Sequence, residues 1–316
     1  MACDMCFNKL KARRDLWVAC FSLKDRNSII NQVYQMVWNA AVFRLINEAR
    51  RITPDNPQGH KEINGTLHYF IDECFFDSQL LAVRRLTDGY PLDGERGVFS
   101  LLSLLNDMKA NASLMRRGNL FLVEGNEYDY EAIEHRALAY GLEQMKSGQR
   151  VIFTPPELDS HPMKLRHEQI DVLSGVKENQ RTPNDCIREE IFDRLIKKIK
   201  SATNEIKVYV DKNIAHASTL ESRAFYNAEQ VSITLGYLWE AHKIICQVVH
   251  FINAYILFDG SGGFLATPQY DHLEFIDKSL VSKEGIDALG EVWQEFQKET
   301  TQWASWGLKD FQHETV

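Results

Sequence analysis

Glycine and proline are scarce in this chain, 17 and 8 among 316 residues, too few for a turn-dense β-sandwich or a low-complexity segment. Cysteine is scarce too. Six cysteines cannot build a disulfide framework at this length, so Cys20, Cys74, Cys186 and Cys246 are expected to be reduced packing thiols. The opening MACDMCFNKLKARRDLWVACF lacks a continuous apolar core and a small-residue cleavage pattern, which argues against a secretory signal and for a cytoplasmic location. The most apolar stretch, Val231 to Phe258, is broken by Glu240, His242, Lys243, Gln247, His250 and Asn253, each costly in hydrocarbon, so no membrane span is expected. Positive charge is also in deficit: a formal net charge of -8 excludes wholesale coating of nucleic acid and leaves room only for a local contact.

What the chain does have is 44% hydrophobic and 25% charged content, ample for a core and for one or two domains, with apolar residues recurring at helical spacing. The expected fold is all-α. A first long helix is predicted from Ser28 to about Arg51 on a stripe of Ile29, Val33, Met36, Ala40 and Phe43, stopped by Thr53-Pro54. A second is predicted from Ile63 to about Asp88 on Leu67, Phe70, Cys74, Ser78 and Leu81, and a shorter third from about Val98 to Arg117. Residues 118–183, with scattered glycines and weak periodicity apart from a helix near Tyr130 to Lys146, read as a large insertion over the bundle. Asn184-Asp185 is expected to cap a fourth long helix striped by Ile187, Ile191, Leu195, Ile199, Ala202, Ile206 and Tyr209. A fifth, about Ala224 to Phe258, is apolar around most of its circumference and ends at Gly260-Ser261-Gly262-Gly263. The implied organisation is N-terminal bundle helices over 1–117, the insertion over 118–183, C-terminal core helices over 184–260 and a helical extension over 261–316, with a helix near Val281 to Lys298.

Polar residues interrupt two of these stripes. Extending the second helix's stripe by one turn from Leu81 reaches Arg85, with Asp88 three positions on. The fourth helix's stripe extends through VYVDKNIAHAS to His216, with Tyr209, Lys212 and His216 overlapping on one face and Asp211 beside them. A buried guanidinium or imidazole needs polar partners or a wet cleft, so two readings stand open: a satisfied structural network, or a small site where His216 moves a proton and a nearby cation holds a phosphate. From Arg194 to His216 six basic residues stand against Glu205 and Asp211, opposite in sign to the whole chain.

At these residues the sequence resembles the AbiU-type abortive-infection family of the HEPN superfamily. The resemblance lies in FFDSQLLAVRRLTD followed by SLLSLLNDM, and in VYVDKNIAHAS, similar to a DK-x-x-AH block. It implies a HEPN-like helical bundle, a homodimer, and a bacterial phage-defence or toxin–antitoxin setting with an antitoxin or other protein partner. It further implies a metal-independent endoribonuclease acting on RNA, in which an Arg-x4-6-His motif sets arginine on the phosphate and histidine in proton transfer, with no cofactor and no metal. His216 matches the histidine; the arginine's positions hold Tyr209, Val210 and Asp211, leaving Lys212 or Arg85 as sources of positive charge. The alternative is a catalytically degenerate HEPN protein that binds nucleic acid, nucleotide or a protein partner.

Other signals are weaker. Cys3-x-x-Cys6 is half of a zinc or redox motif with no second half. His242, Cys246 and His250 recur every fourth residue, as metal ligands or seam packing do, and no carboxylate completes the row. Trp303 and Trp306 read as caps on the bundle rather than as a partner-contact patch.

Overall fold

Ser28 opens the first long helix by accepting the backbone N–H of Asn31 on its hydroxyl at 3.3 Å, and the helix, α2 (Ile29–Ile52), buries Ile29, Val33, Met36, Ala40 and Phe43 as its spacing requires. Arg50 and Arg51 sit in its last turn, where cations suit the helix dipole, and Pro54 follows. The computed structural model describes residues 4–148, 155–215, 218–226, 232–260, 262–278 and 280–303. Among them are eleven α-helices and no strand, so the fold is an all-α helical bundle. By contacts the chain divides into two units, Met1–Ala266 and Thr267–Val316.

In the first unit α3 (Gly65–Leu86) is capped by the Asn64 side chain, and α4 (Leu101–Ala110) by Ser100. α4 is shorter than its pattern suggests, because the chain tightens into a 3-10 turn at Ala112–Leu114. Leu101, Leu102, Leu104, Leu105 and Met108 are all buried, so α4 lies inside the bundle. α8 (Glu189–Tyr209) packs on α3 and α4 through Phe192, Ile199, Thr203 and Ile206. It starts at Glu189 rather than at Asn184, since Asp185 is turned back to accept from Thr182 and from Arg117 instead of capping. α10 (Leu235–Phe251) opens on a Thr234 cap, so the long apolar run is interrupted where one helix from Ala224 was expected. The short α9 (Leu220–Phe225) stands before it. Lys198 of α8 donates to Gln247 of α10 at 2.8 Å while Tyr237 lies beside Glu205, so these two helices run antiparallel. Both α8 and α10 end in π turns, Val210–Ile214 and Ile252–Ile256.

Two parts of this core carry little sequence signal. α1 (Asp4–Ala19) has Leu10 and Trp17 in the core separated by a charged run, and the Trp17 indole N–H donates to Asp107 of α4 at 2.6 Å. Residues 118–183 contain most of α5 (Arg117–Val123), all of α6 (Tyr130–Lys146) and all of α7 (His161–Ser174). Leu120, Phe121, Ile170 and Leu173 feed the same core as the flanking helices. Two buried guanidiniums anchor this segment. Arg117, fully buried, pairs with Asp171 at 2.7 Å and Asp185 at 2.9 Å and contacts His167. Arg166, equally buried, pairs with Glu124 and donates to the carbonyls of Tyr255 and Ile256 at 2.9 and 3.0 Å, which the π turn leaves available.

The second unit holds α11 (Ile286–Trp303), which places Ile286, Leu289, Trp293 and Phe296 along one face, with the Trp303 ring edge-on to Phe296 at 5.8 Å. Trp306 lies outside the described residues. No helix of the described residues is long and apolar enough to cross a membrane.

Arg166 is the sharpest test of this architecture. Arg166→Ala strands the Glu124 carboxylate and two carbonyls, and is expected to cost about 3–5 kcal/mol in urea denaturation. A loss below about 1 kcal/mol would show that the pair is not buried as described.

Candidate functional site

The C-terminal end of α3 meets the end of α8, and the guanidinium that joins them is Arg84. Its Nε donates to Asp211 Oδ1 at 2.7 Å and its Nη1 to Asp88 Oδ2 at 3.1 Å. Burial works against the charge of Arg84, but the hydrogen bonds and charges of Asp211 and Asp88 outweigh it and hold its pKa above the ordinary arginine value. Arg85, expected to point inward, is exposed instead. The correction follows from the phase of α3. Its buried row is Phe75, Gln79, Leu80, Val83 and Leu86, whereas Phe70 is 63% exposed and Cys74 and Ser78 also face out. That row is displaced from the expected one by a single residue, roughly 100° of helix rotation. One turn on from Leu80 comes Arg84.

At the far side of this junction, the π turn at Val210–Ile214 buries Val210 and sends Asp211 and Lys212 to different neighbours. Asp211 faces Arg84. The Lys212 ammonium donates to Ser222 Oγ of α9 at 3.1 Å and stands 4.1 Å from the centre of the Tyr226 ring. Tyr209 is half-buried against the core, and its carbonyl accepts from the Asn213 amide at 3.1 Å. His216 lies outside the described residues. Asp88 and Asp211 are thus brought together, through a residue the stripe argument missed; Tyr209 and Lys212 stay next to them; Arg85 is turned away. Two carboxylates on one guanidinium leave no free positive charge at Arg84 for a phosphate. Asp88 also ties the junction to α4, its carbonyl accepting from Ser100 Oγ at 2.6 Å.

Arg85 instead stands between two surface clefts. One, about 650 Å³, is lined by Arg26, Asn31, Gln32, Tyr34, Trp38 and Arg85 among others. The other, about 500 Å³, shares Arg85 and Gln32 but is bordered by Asp25, Asp88 and Asp93. The two have opposite electrostatic character. The first has no Asp or Glu among its described lining residues.

The row on α10 is not a ligand set in this geometry. His242 is buried and His250 exposed, and among the described residues no group of three or more His, Cys, Asp and Glu side chains is placed to hold a metal ion. Burial pushes the Cys246 thiol up to about 11, so it stays protonated and packs. Cys3 lies outside the described residues. Comparison with family models, with curated proteins and with solved structures finds no match to this chain.

His242 offers a pH test. Burial, aided by the Arg44 guanidinium, pushes its imidazole down to about 4 from the ordinary 6.5, and its Nε2 meets no partner among the described residues. Because the folded value lies below the unfolded one, stability is full above pH 6.5 and falls as pH drops towards 4, by up to about 3 kcal/mol in all. His242→Leu should remove that part of the slope, read as the urea midpoint at a series of pH values. An unchanged slope in the variant would place the titrating group elsewhere.

Proposed function

We propose that this chain is a HEPN-like module of the catalytically degenerate kind, which holds RNA without cutting it. The observation that carries the reading is the Arg84–Asp211 ion pair. Asp211 stands at the position where an Arg-x4-His arrangement with His216 would need its arginine, and its carboxylate is engaged by a cation from α3. An acid there repels the phosphate that the motif arginine would grip, and Arg84 is already neutralised by Asp211 and Asp88. Lys212 carries charge close by, but as a point charge held by Ser222 and Tyr226.

Binding has its own support on α8. Lys197, Lys200 and Lys207, with Asn204 between, fall at i, i+3, i+7 and i+10 and are all exposed, so they form a basic stripe on an acidic protein. Such a stripe attracts a phosphate backbone by counterion release and reads no sequence.

Fluorescence anisotropy with a labelled single-stranded RNA tests both halves. Binding is expected, weakening with salt, and the triple variant Lys197→Glu, Lys200→Glu, Lys207→Glu should weaken it at least about tenfold. No binding, or binding indifferent to the triple change, contradicts the reading. RNA incubated with the protein in chelator should stay intact; fragments ending in cyclic phosphate, lost with His216→Ala, would establish an active ribonuclease instead.

A further inference from the structure

We infer that the 650 Å³ cleft between the start of α2 and the end of α3 is a binding site for a nucleoside phosphate, with the phosphate on Arg26 and Arg85 and the base on Trp38 and Tyr34. It deepens the RNA-holding reading, on which it rests for the choice of a nucleotide over other phosphorylated rings. Neither Asp211 nor Lys212 borders the cleft, so it is separate from the junction at the end of α8.

One face of α2 forms a wall of the cleft. Asn27 just before the helix, then Asn31, Tyr34 and Trp38, follow each other at three- and four-residue spacing, with Gln35 beside Tyr34, so they form a polar and aromatic stripe beside the buried row of Ile29, Ile30, Val33 and Met36. A helix face that only meets water has no need of two half-buried aromatic rings one turn apart. Here the chain returns to cover part of it: after α10, Phe264 lies edge-on to Tyr34 with ring centres 6.5 Å apart. The result is a cleft with an aromatic wall. Its volume is in the range of small-ligand pockets, about 300–1,000 Å³.

The charges sharpen the ligand class. Arg26 and Arg85 come from a loop and from α3, and neither bonds a carboxylate among the described residues, in contrast to Arg84 beside them. Of the two clefts Arg26 borders only this one, and Arg85 stands between it and the acidic one; two guanidiniums at a cleft with no Asp or Glu among its described lining residues, in a chain of net charge -8, favour an anion there. A guanidinium offers a planar fork that matches phosphate oxygens. The amides narrow the choice further. Asn31 donates its NH₂ to the carbonyls of Leu23 and Asp25, and Gln32 donates its own to those of Asn27 and Phe99. Their side-chain oxygens remain as acceptors at the cleft, suited to ribose hydroxyls or a base amine, and the amides are held from behind before any ligand arrives. Cations for phosphate, acceptors for hydroxyls and a stacking wall for a planar ring fit a nucleotide better than a bare anion or an apolar compound.

The experiment is calorimetric titration of the full chain with adenosine 5′-monophosphate, adenosine and inorganic phosphate, with Trp38 emission followed in parallel. The monophosphate should bind at least about tenfold more tightly than either fragment, and quench emission that Trp38→Phe removes. Arg26→Gln and Arg85→Gln, both at exposed positions, should each weaken it about tenfold without moving the thermal midpoint. Equal affinity in wild type and both variants, or no heat and no quenching at millimolar monophosphate, overturns the inference. RNA binding that persists while the monophosphate fails to bind sinks the cleft and leaves the RNA reading intact. Monophosphate binding with no RNA binding does the reverse.

Discussion

The rotation of α3 about its own axis is the constraint on which the rest depends. Leu80, Val83 and Leu86 are each fully buried, and turning the helix by one residue would bring the face of Leu81 and Arg85 to the core in their place. Each of these leucine and valine side chains gains about 1.5–3 kcal/mol from burial, while an unpaired guanidinium in the core is prohibitive. Packing against α2, α8 and α10 therefore sets the phase, and the phase sends the two adjacent arginines to opposite fates. Arg84 goes to the α8 junction and is neutralised. Arg85 goes to an open cleft and keeps its charge available.

The cations described above occupy three chemical settings, and the distinction separates packing from exposed charge. Arg117 and Arg166 are fully buried, paired with carboxylates and, for Arg166, with the carbonyls freed by a π turn; they join α5 and α7 to the loop before α8 and the end of α10. Arg84 is partly buried and shared by two aspartates. Arg26, Arg85 and the lysines of α8 face solvent, and the proposed anion contacts draw on them. Inward charge at a helix junction is unusual, which is why the apolar stripes point to a functional cation there. Charge that is already paired is better evidence of packing than of chemistry.

Much of the helix order was legible because spacing and caps agree. On α2, Ser28, the buried row and Pro54 all point to the same helix. α3 was legible as a helix but not in its phase: apolar residues lie on both sides of it, Leu67, Phe70 and Leu81 on one and Phe75, Leu80 and Leu86 on the other, and only the neighbouring helices choose between them. α1 was hidden because two core residues seven apart amid charges make no stripe, and the break before Leu235 because nothing in an apolar run announces a threonine cap. Of the candidate site, Tyr209, Asp211 and Lys212 were found by extending a true stripe of α8, and Arg84 was missed with the phase. The cleft joins three remote stretches, although the Asn27, Asn31, Tyr34 and Trp38 spacing on α2 could have drawn attention to one wall.

The central claim, that Arg84 and not Arg85 is the partner of Asp211, is tested most directly by a pair of double-mutant cycles on folding stability. Arg84→Ala with Asp211→Ala should show a coupling of about 0.5–1 kcal/mol, and Arg85→Ala with Asp211→Ala none beyond error. Coupling confined to the second cycle would mean that α3 is rotated by one residue from the arrangement described, and with it the junction and the cleft would both have to be redrawn.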